Sequence, residues 1–487
     1  MNVILILLDT VRRDFLGCYG NELIQTPNID RLASRSVVFD HAYTGSFPCM
    51  PARRDLWTGR FEFPWRGWGP LENDDDTLPG RLTRAGHRSM LVTDHFHLWE
   101  RGSGNYHMEF TGVEFIRGQE RDMWITDDSI PVDWPASKKK LAGHFSNPEE
   151  TFATYRRNTA HFRYERDYFA PQVMQRAMDW LEGNYQSPDF FLLIDCFDPH
   201  EPFDVPEPYR SMYRAGTAKE QIMWPNYGAT TLVPEEIQDV RALYAGLLTM
   251  VDRWVGRLVD KIEQLSLMKD TAIILMTDHG HLFGEHGLMG KPWAGLSDSN
   301  LYQELAHIPL MIYHPEATPH RVSGYAQAVD LYPTILEWLN VPYEKEELHG
   351  RSLAPWVLEQ TGPKQWRDVV CYGRFGEALN VTDSSGTLMQ WYRPNLVTSQ
   401  FWYGLQSPRF QENIRTLGNL QDNSRFPVRV TRGSSVTSVY ASSDSDQTHN
   451  LVGTSTGEQL QQQLKGKLRS FLESVQAPTE LIEQYDL

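Results

Sequence analysis

Val3-Ile4-Leu5-Ile6-Leu7-Leu8-Asp9 is an unbroken apolar run that ends in an acid. A strand with one wet face would alternate apolar and polar residues. A run apolar at every position reads instead as a strand covered on both faces, as in a parallel sheet flanked by helices. The same grammar recurs along the chain. Helical patterns are expected at about residues 29–36 (entered through Thr26-Pro27-Asn28), 77–86, 172–184 and 235–265. Apolar strand runs are expected at 88–93, 190–196, 271–277 and 308–313. Strands alternating with helices through residues 1–345 predict an α/β fold with a large, mostly parallel central sheet between helical layers.

Ligands of such sheets bind beyond the carboxyl ends of the strands. What stands there is polar: Asp9 after the first run, Asp94-His95-Phe96-His97 after the second, Asp198-Pro199-His200 after the third and Asp278-His279-Gly280 after the fourth. A single Asp after a strand is commonly a turn or helix cap. Four strand ends offering carboxylate or imidazole describe a metal site with acid–base groups around it. A fifth feature belongs with them. In Cys49-Met50-Pro51-Ala52-Arg53 a cysteine opens a helix whose spacing is carried by Ala52, Leu56 and Trp57 and which Gly59 stops. The first turn of a helix presents unpaired N–H groups and the positive end of its dipole, a suitable place for an oxyanion. A buried free cysteine has the same appearance.

Composition narrows the class. The chain has 487 residues, a net charge of −17, 40% hydrophobic and 22% charged residues. That is the balance of a globular protein and argues against nucleic acid as a partner. No stretch approaches the ~18 apolar residues of a membrane span. The opening run lacks a basic leader and is followed by Arg12, Arg13 and Asp14 instead of a cleavage site. Cys18, Cys49, Cys196 and Cys371 show neither paired nor metal-like spacing, so a reducing compartment is expected. The cytoplasm is the expected location.

Taken in order, these phrases resemble the sulfatase family of the alkaline-phosphatase superfamily, which includes the phosphonate monoester hydrolases. The match is carried by Asp9, Thr26-Pro27-Asn28-Ile29-Asp30-Arg31-Leu32, Cys49-Met50-Pro51-Ala52-Arg53 with Thr58-Gly59, and Thr277-Asp278-His279-Gly280. Gly284-Glu285-His286-Gly287, Gly290-Lys291 and Val329-Asp330-Leu331-Tyr332-Pro333-Thr334 complete it. The resemblance implies an alkaline-phosphatase-like fold and a metal-dependent hydrolase of a small anionic ester. In the family the motif cysteine is oxidised to formylglycine by a formylglycine-generating enzyme and then hydrated to a diol. One diol oxygen attacks sulfur or phosphorus, and the second hydroxyl drives elimination. By resemblance Cys49 is that residue, Arg53 orients it, and Asp9, Asp278, His279 and residue 49 hold one divalent ion. Lys291 would neutralise the substrate oxyanion, and His200 and His97 would serve the leaving group. His95 and Thr10 would line the substrate.

The chain also departs from the arylsulfatase pattern. Thr10 stands where many sulfatases have a second Asp, and His279 where they have Asn. Trading a carboxylate for an imidazole softens the site, favouring Mn²⁺ or Zn²⁺ relative to Ca²⁺. His95 replaces a family lysine and introduces a group expected to titrate near neutrality. His281, Glu285 and His286 read as supporting or loop residues. The main expectation is sulfate ester hydrolysis, with phosphonate monoester or phosphodiester hydrolysis as the alternative. A thiol phosphatase wants five residues between Cys and Arg, whereas Arg53 and Arg54 leave three and four.

Residues 346–487 are expected to form a smaller antiparallel sheet, with strand-like runs at 368–372, 388–392 and 435–440. A terminal helix is expected at 458–475. Residues 376–426, with Trp391, Phe401, Trp402 and Tyr403, read as loop-rich and able to reach a neighbouring subunit. A homo-oligomer is expected.

Overall fold

The opening run becomes β1 (Asn2–Leu8), the middle of a nine-stranded sheet. The computed structural model describes residues 1–487 except 101, 136–144, 146, 215–220, 293–297, 360, 361, 364, 365, 393–395, 403–425, 433 and 434. The other strands of the sheet are β2 (Val37–Tyr43), β3 (Ser89–Thr93), β4 (Gly112–Phe115), β5 (Phe191–Cys196), β6 (Thr271–Met276), β7 (His307–Ile308), β8 (Leu310–Tyr313) and β9 (His320–Gln327). Their order is β7-β2-β8-β6-β1-β5-β3-β4, with β9 also on β2. β1 pairs in parallel with β5 (Leu8 opposite Cys196) and with β6 (Leu7 opposite Met276).

The alternation of β1 shows why every position is apolar. Ile4, Ile6 and Leu8 enter one hydrophobic cluster, while Val3, Leu5 and Leu7 enter the cluster on the opposite face. Each such burial is worth about 1.5–3 kcal/mol. On the first face lie α3 (Phe169–Asn184) and α4 (Pro234–Gln264), which pack on each other. The Thr26-Pro27-Asn28 phrase starts α1 (Pro27–Ala33). Its first free amides, from Asn28 and Ile29, donate to Asp252 of α4. A helix start is thereby capped from another element. The second face carries α2 (Cys49–Thr58), which Gly59 ends in the left-handed conformation at φ 66°.

Two expectations need correction. The strand expected at 308–313 is split at Pro309, whose missing N–H interrupts the ladder, and both pieces run antiparallel to β2. The described residues of the 376–426 segment are also more regular than their composition suggests. A four-stranded antiparallel sheet joins β10 (Val369–Arg374), β11 (Ala378–Asp383), β12 (Gly386–Tyr392) and β15 (Ser435–Ala441). A separate ribbon pairs β13 (Leu396–Trp402) with β14 (Phe426–Arg432). The expected reach of 376–426 toward another subunit rests in large part on the side chains of 392–426, Phe401, Trp402 and Tyr403 among them, which lie outside the described residues.

Helix α5 (Ser455–Ser474) covers the smaller sheet through Leu464, Leu468 and Leu472, which pack with Leu379, Val381, Leu388 and Val439. The Phe47 N–H donates to the Gly373 carbonyl at 2.9 Å, so the end of β10 is pinned beside the loop that leads into α2. All four cysteines are free, and among the described residues no helix is long and apolar enough to cross a membrane.

Candidate active site at the carboxyl edge of the sheet

β1, β2, β3, β5 and β6 all end on one edge, and the residues following them meet there. Asp9, Cys49, Asp278 and His279 each present one donor atom within 4.8 Å of the others, all buried. Cys49 Sγ lies 3.1 Å from His279 Nε2, and His279 Nδ1 is 3.0 Å from the Gly280 carbonyl, which fixes the ring. Asp278 Oδ1 accepts the backbone N–H groups of Thr10 at 3.1 Å and His279 at 2.8 Å. Thr10 sits at φ 66°, where β-branched residues are strained. That conformation is held by the Asp278 bond, and by Tyr244, whose hydroxyl donates to the Thr10 carbonyl at 2.9 Å. The Thr10 hydroxyl donates to Asp9 Oδ1 at 2.6 Å.

Arg53, one helical turn after Cys49, is fully buried and spends its whole guanidinium here. Nε and Nη2 form a fork on Asp195 at 2.8 and 2.6 Å. Nη2 also reaches Asp9 at 3.0 Å, and Nη1 reaches Asp278 at 2.8 Å and the Cys49 carbonyl at 3.2 Å. Opposite stands Lys291, with Nζ at 3.2–3.3 Å from both Glu201 oxygens and 3.4 Å from the Thr10 hydroxyl. Glu201 is held well below the usual carboxylate range, against its burial, by His200, Lys291 and His281. Burial, aided by Asp9 and Asp278, pushes the Cys49 thiol far up.

Phe197 gathers the three histidines, with ring centroids 4.8 Å from His95, 6.2 Å from His97 and 4.1 Å from His200. His95 Nε2 is 3.4 Å from Asp9, and neither ring nitrogen has a hydrogen-bond partner among the described residues. Burial and Arg53 press its pKa well below 6.5, so it stays neutral, correcting the expectation of titration near neutrality. His97 is displaced from the cluster. Its Nδ1 is 2.6 Å from Glu100 and its Nε2 3.0 Å from Glu120, and these two carboxylates raise its pKa despite burial. His200 Nδ1 lies 2.6 Å from the Glu201 carbonyl, and burial brings its pKa to about 4. With Nδ1 donating, Nε2 carries the lone pair.

Of the supporting residues, His281 Nε2 faces Glu201 at 3.4 Å, Glu285 ties Arg12 and Arg241, and His286 stacks on Tyr302 at 3.6 Å. Sequence reasoning missed Asp195 and Glu201. The only signal for Asp195 is an acid inside an otherwise apolar strand, Phe191-Leu192-Leu193-Ile194-Asp195. It also missed that Asp94 and Asp198 are buried and bridged by Gln119, whose amide donates to both at 3.3 and 3.2 Å. Burial raises both, Asp198 to about 7.

The donor set suits a divalent cation. Two carboxylates, an imidazole and a sulfur converge. Four buried carboxylates (Asp9, Asp195, Asp278, Glu201) face two buried cations (Arg53, Lys291), leaving two negative charges for a metal to offset. Carboxylate, lysine and histidine groups around such a centre define a hydrolase of anionic esters.

Comparison with known proteins agrees. The sulfatase family model matches residues 1–341. The multifunctional alkaline phosphatase superfamily protein PehA of Trinickia caryophylli is 27% identical over 441 residues, covering 76% of this chain and 79% of that protein. An arylsulfatase of Clostridium perfringens is 26% identical, covering 78% and 82%. The phosphonate monoester hydrolase of Agrobacterium radiobacter superposes with a TM-score of 0.70 at 19% identity, covering 97% and 96% of the two chains. The chain belongs to the sulfatase family and is a sulfuric ester hydrolase of the alkaline-phosphatase-like fold. Members of this family typically use a metal ion and formylglycine.

Proposed function

We propose that the protein hydrolyses small sulfate monoesters, with Cys49 as the residue converted to formylglycine. Asp9, Asp278, His279 and residue 49 would hold one divalent ion: calcium, manganese or zinc. The observation that carries this reading is the convergence of those four donors within 4.8 Å at the first turn of α2. When present, the hydrated aldehyde supplies an oxygen nucleophile and the metal eases its deprotonation.

The remaining conditions come from the chain. Arg53 fixes the orientation of Asp9 and Asp278 through its separate nitrogens. Lys291, kept charged by Glu201, faces the anionic oxygens of the ester, and the Thr10 hydroxyl beside it lines the same pocket. His200 has its Nδ1 proton committed to a carbonyl, so its Nε2 would have to take up a proton before donating it to the leaving oxygen. His95 lines the pocket as a neutral ring. His97 stands behind it between two carboxylates that favour its charged form, and acts through packing and charge. Residues 1–345 would form the catalytic unit and 346–487 a smaller companion. Maturation by a formylglycine-generating enzyme, a cytoplasmic location and homo-oligomerisation belong to the same proposal.

The second reading, phosphonate monoester or phosphodiester hydrolysis, is favoured by Thr10 and His279, which set this donor group apart from the arylsulfatase pattern. kcat/KM on matched aryl sulfate, phosphonate monoester and phosphodiester substrates separates the two. A sulfate ester turned over less efficiently than both phosphorus substrates would overturn the first. Mass spectrometry of the peptide carrying residue 49, from the native host, tests the nucleophile. Unmodified cysteine alone would overturn it.

A further inference from the structure

Arg374 closes β10, in the smaller sheet, yet it belongs to the wall of the catalytic site. Gly373, immediately before it, exchanges backbone hydrogen bonds with the 45–47 strand end: its N–H donates to the Gly45 carbonyl at 3.0 Å and its carbonyl accepts from Phe47 at 2.9 Å. The Arg374 guanidinium lies 4.8 Å from the centroid of the Phe47 ring, and that ring lies 4.8 Å from the His279 ring. Nη1 donates to the carbonyl of Pro292, the residue after Lys291, at 2.8 Å and to Glu377 at 3.3 Å. The side chain is 7% exposed, and both Nε and Nη2 are buried with no hydrogen-bond partner among the described residues.

Those two nitrogens share one edge of the guanidinium. It is the edge with which Arg53 grips both oxygens of Asp195, and Arg117 those of Asp122. A planar fork of this kind matches an oxyanion with two oxygens, and a buried, unpaired fork is costly to keep. Burial outweighs Glu377 and lowers the Arg374 pKa, so its positive charge is incompletely balanced. Arg374 approaches the donor cluster across the Phe47 ring, which lies between it and His279. The transferring group is already faced by Lys291.

We propose that Arg374 is a specificity-determining residue that binds a second anionic group, a carboxylate or another sulfate, on the alcohol part of the ester. This rests on the reading of the site as a sulfate ester hydrolase, and it names the substrate class: esters with two negative groups. The positive edge supplied by the smaller sheet would select them over singly charged aryl esters.

The test compares wild type, Arg374→Gln and Arg374→Lys on 4-nitrophenyl sulfate and its ring-carboxylated analogue. Wild type should prefer the carboxylated ester. Losing a charge-assisted fork should cost Arg374→Gln about ten- to hundredfold in kcat/KM on that ester, mainly through KM. The parent ester should lose severalfold less. Arg374→Lys should recover part of the loss, because it restores the charge without the fork. Equal losses on both esters, or no loss on either, would overturn the proposal. Binding gives an independent arm. A hydroxybenzoate should protect wild type against thermal unfolding more than phenol does, and Arg374→Gln should lose the difference. If wild type turns over neither sulfate ester, the sulfatase reading fails. The binding arm still decides Arg374, and equal protection of wild type and Arg374→Gln overturns its role.

Discussion

Replacing Asp195 by Asn asks whether the Arg53 fork is what orders the centre. Arg53 makes five hydrogen bonds, and Asp195 accepts two of them, at 2.8 and 2.6 Å, with neither residue exposed. Asparagine keeps the shape but removes the charge and turns one acceptor into an NH₂ facing a guanidinium N–H. One charged hydrogen bond, worth about 1.5–3 kcal/mol, is lost outright, and a donor is left against a donor. Breaking a buried pair by removing one partner costs about 3–5 kcal/mol. The two estimates meet near ~3 kcal/mol. Freed from Asp195, the guanidinium turns toward Asp9 and Asp278, so the loss should also reach catalysis, about a hundredfold in kcat/KM. Urea unfolding followed by tryptophan fluorescence, beside steady-state kinetics on the same preparation, reads both. A D195N protein with wild-type stability and wild-type kcat/KM would refute the argument that this fork orders the centre.

Three further outcomes follow from the buried titrating groups and the donor cluster. Asp198 is raised from 3.8 to about 7 and Asp94 is raised beside it, so the fold favours their protonated forms. The Asp198 contribution is complete below pH 3.8 and is lost as pH rises through about 7. Asp198→Asn should therefore gain stability relative to wild type as pH rises between those limits, and a pH-independent difference would count against a raised Asp198. His97 is raised above 6.5, so its stabilising charge is complete below that value and is lost as pH climbs through the higher folded-state pKa. Glu120→Gln should lower the His97 midpoint in a ring-proton NMR titration and destabilise more at pH 6 than at pH 9; an unmoved midpoint would exclude Glu120 as the cause. Chelation should lower the thermal midpoint, and a divalent ion restored at a hundred times its Kd should return about 2.7 kcal/mol. Identical melting with and without chelator would contradict the metal assignment of Asp9, Asp278 and His279.

The large sheet was legible because burial on both faces leaves no choice of residue: β1 must be apolar at every position, and it is. The long helix α4 shows its 3.6-residue pattern over 31 residues and begins at Pro234. The smaller sheet was partly hidden for the converse reason. In β11 the buried Asn380 and Thr382 are polar but answered across the sheet: the Asn380 amide nitrogen donates to the Tyr372 carbonyl at 3.4 Å, and Thr382 meets the Thr387 and Tyr372 hydroxyls at 3.0 and 3.1 Å. Polarity that is answered only by another strand looks like a loop when the strand is read alone.

The site divides along the same line. Asp9, Cys49, Asp278 and His279 must sit where strands and a helix end, because only there can a side chain from each element reach one point. Their place in the sequence therefore announces them. Residues that balance charge carry no such constraint. Glu201 answers Lys291 from 90 positions away and Asp195 answers Arg53 from 142. Nothing local distinguishes them from a solvated acid or a strand irregularity. The same logic explains why His95 departs from its expected titration near neutrality: burial and Arg53 keep that imidazole neutral, whereas Glu120 and Glu100 raise the pKa of His97 behind it. Residue type sets what a group can do, but the sign of its charge is decided by neighbours drawn from every part of the chain.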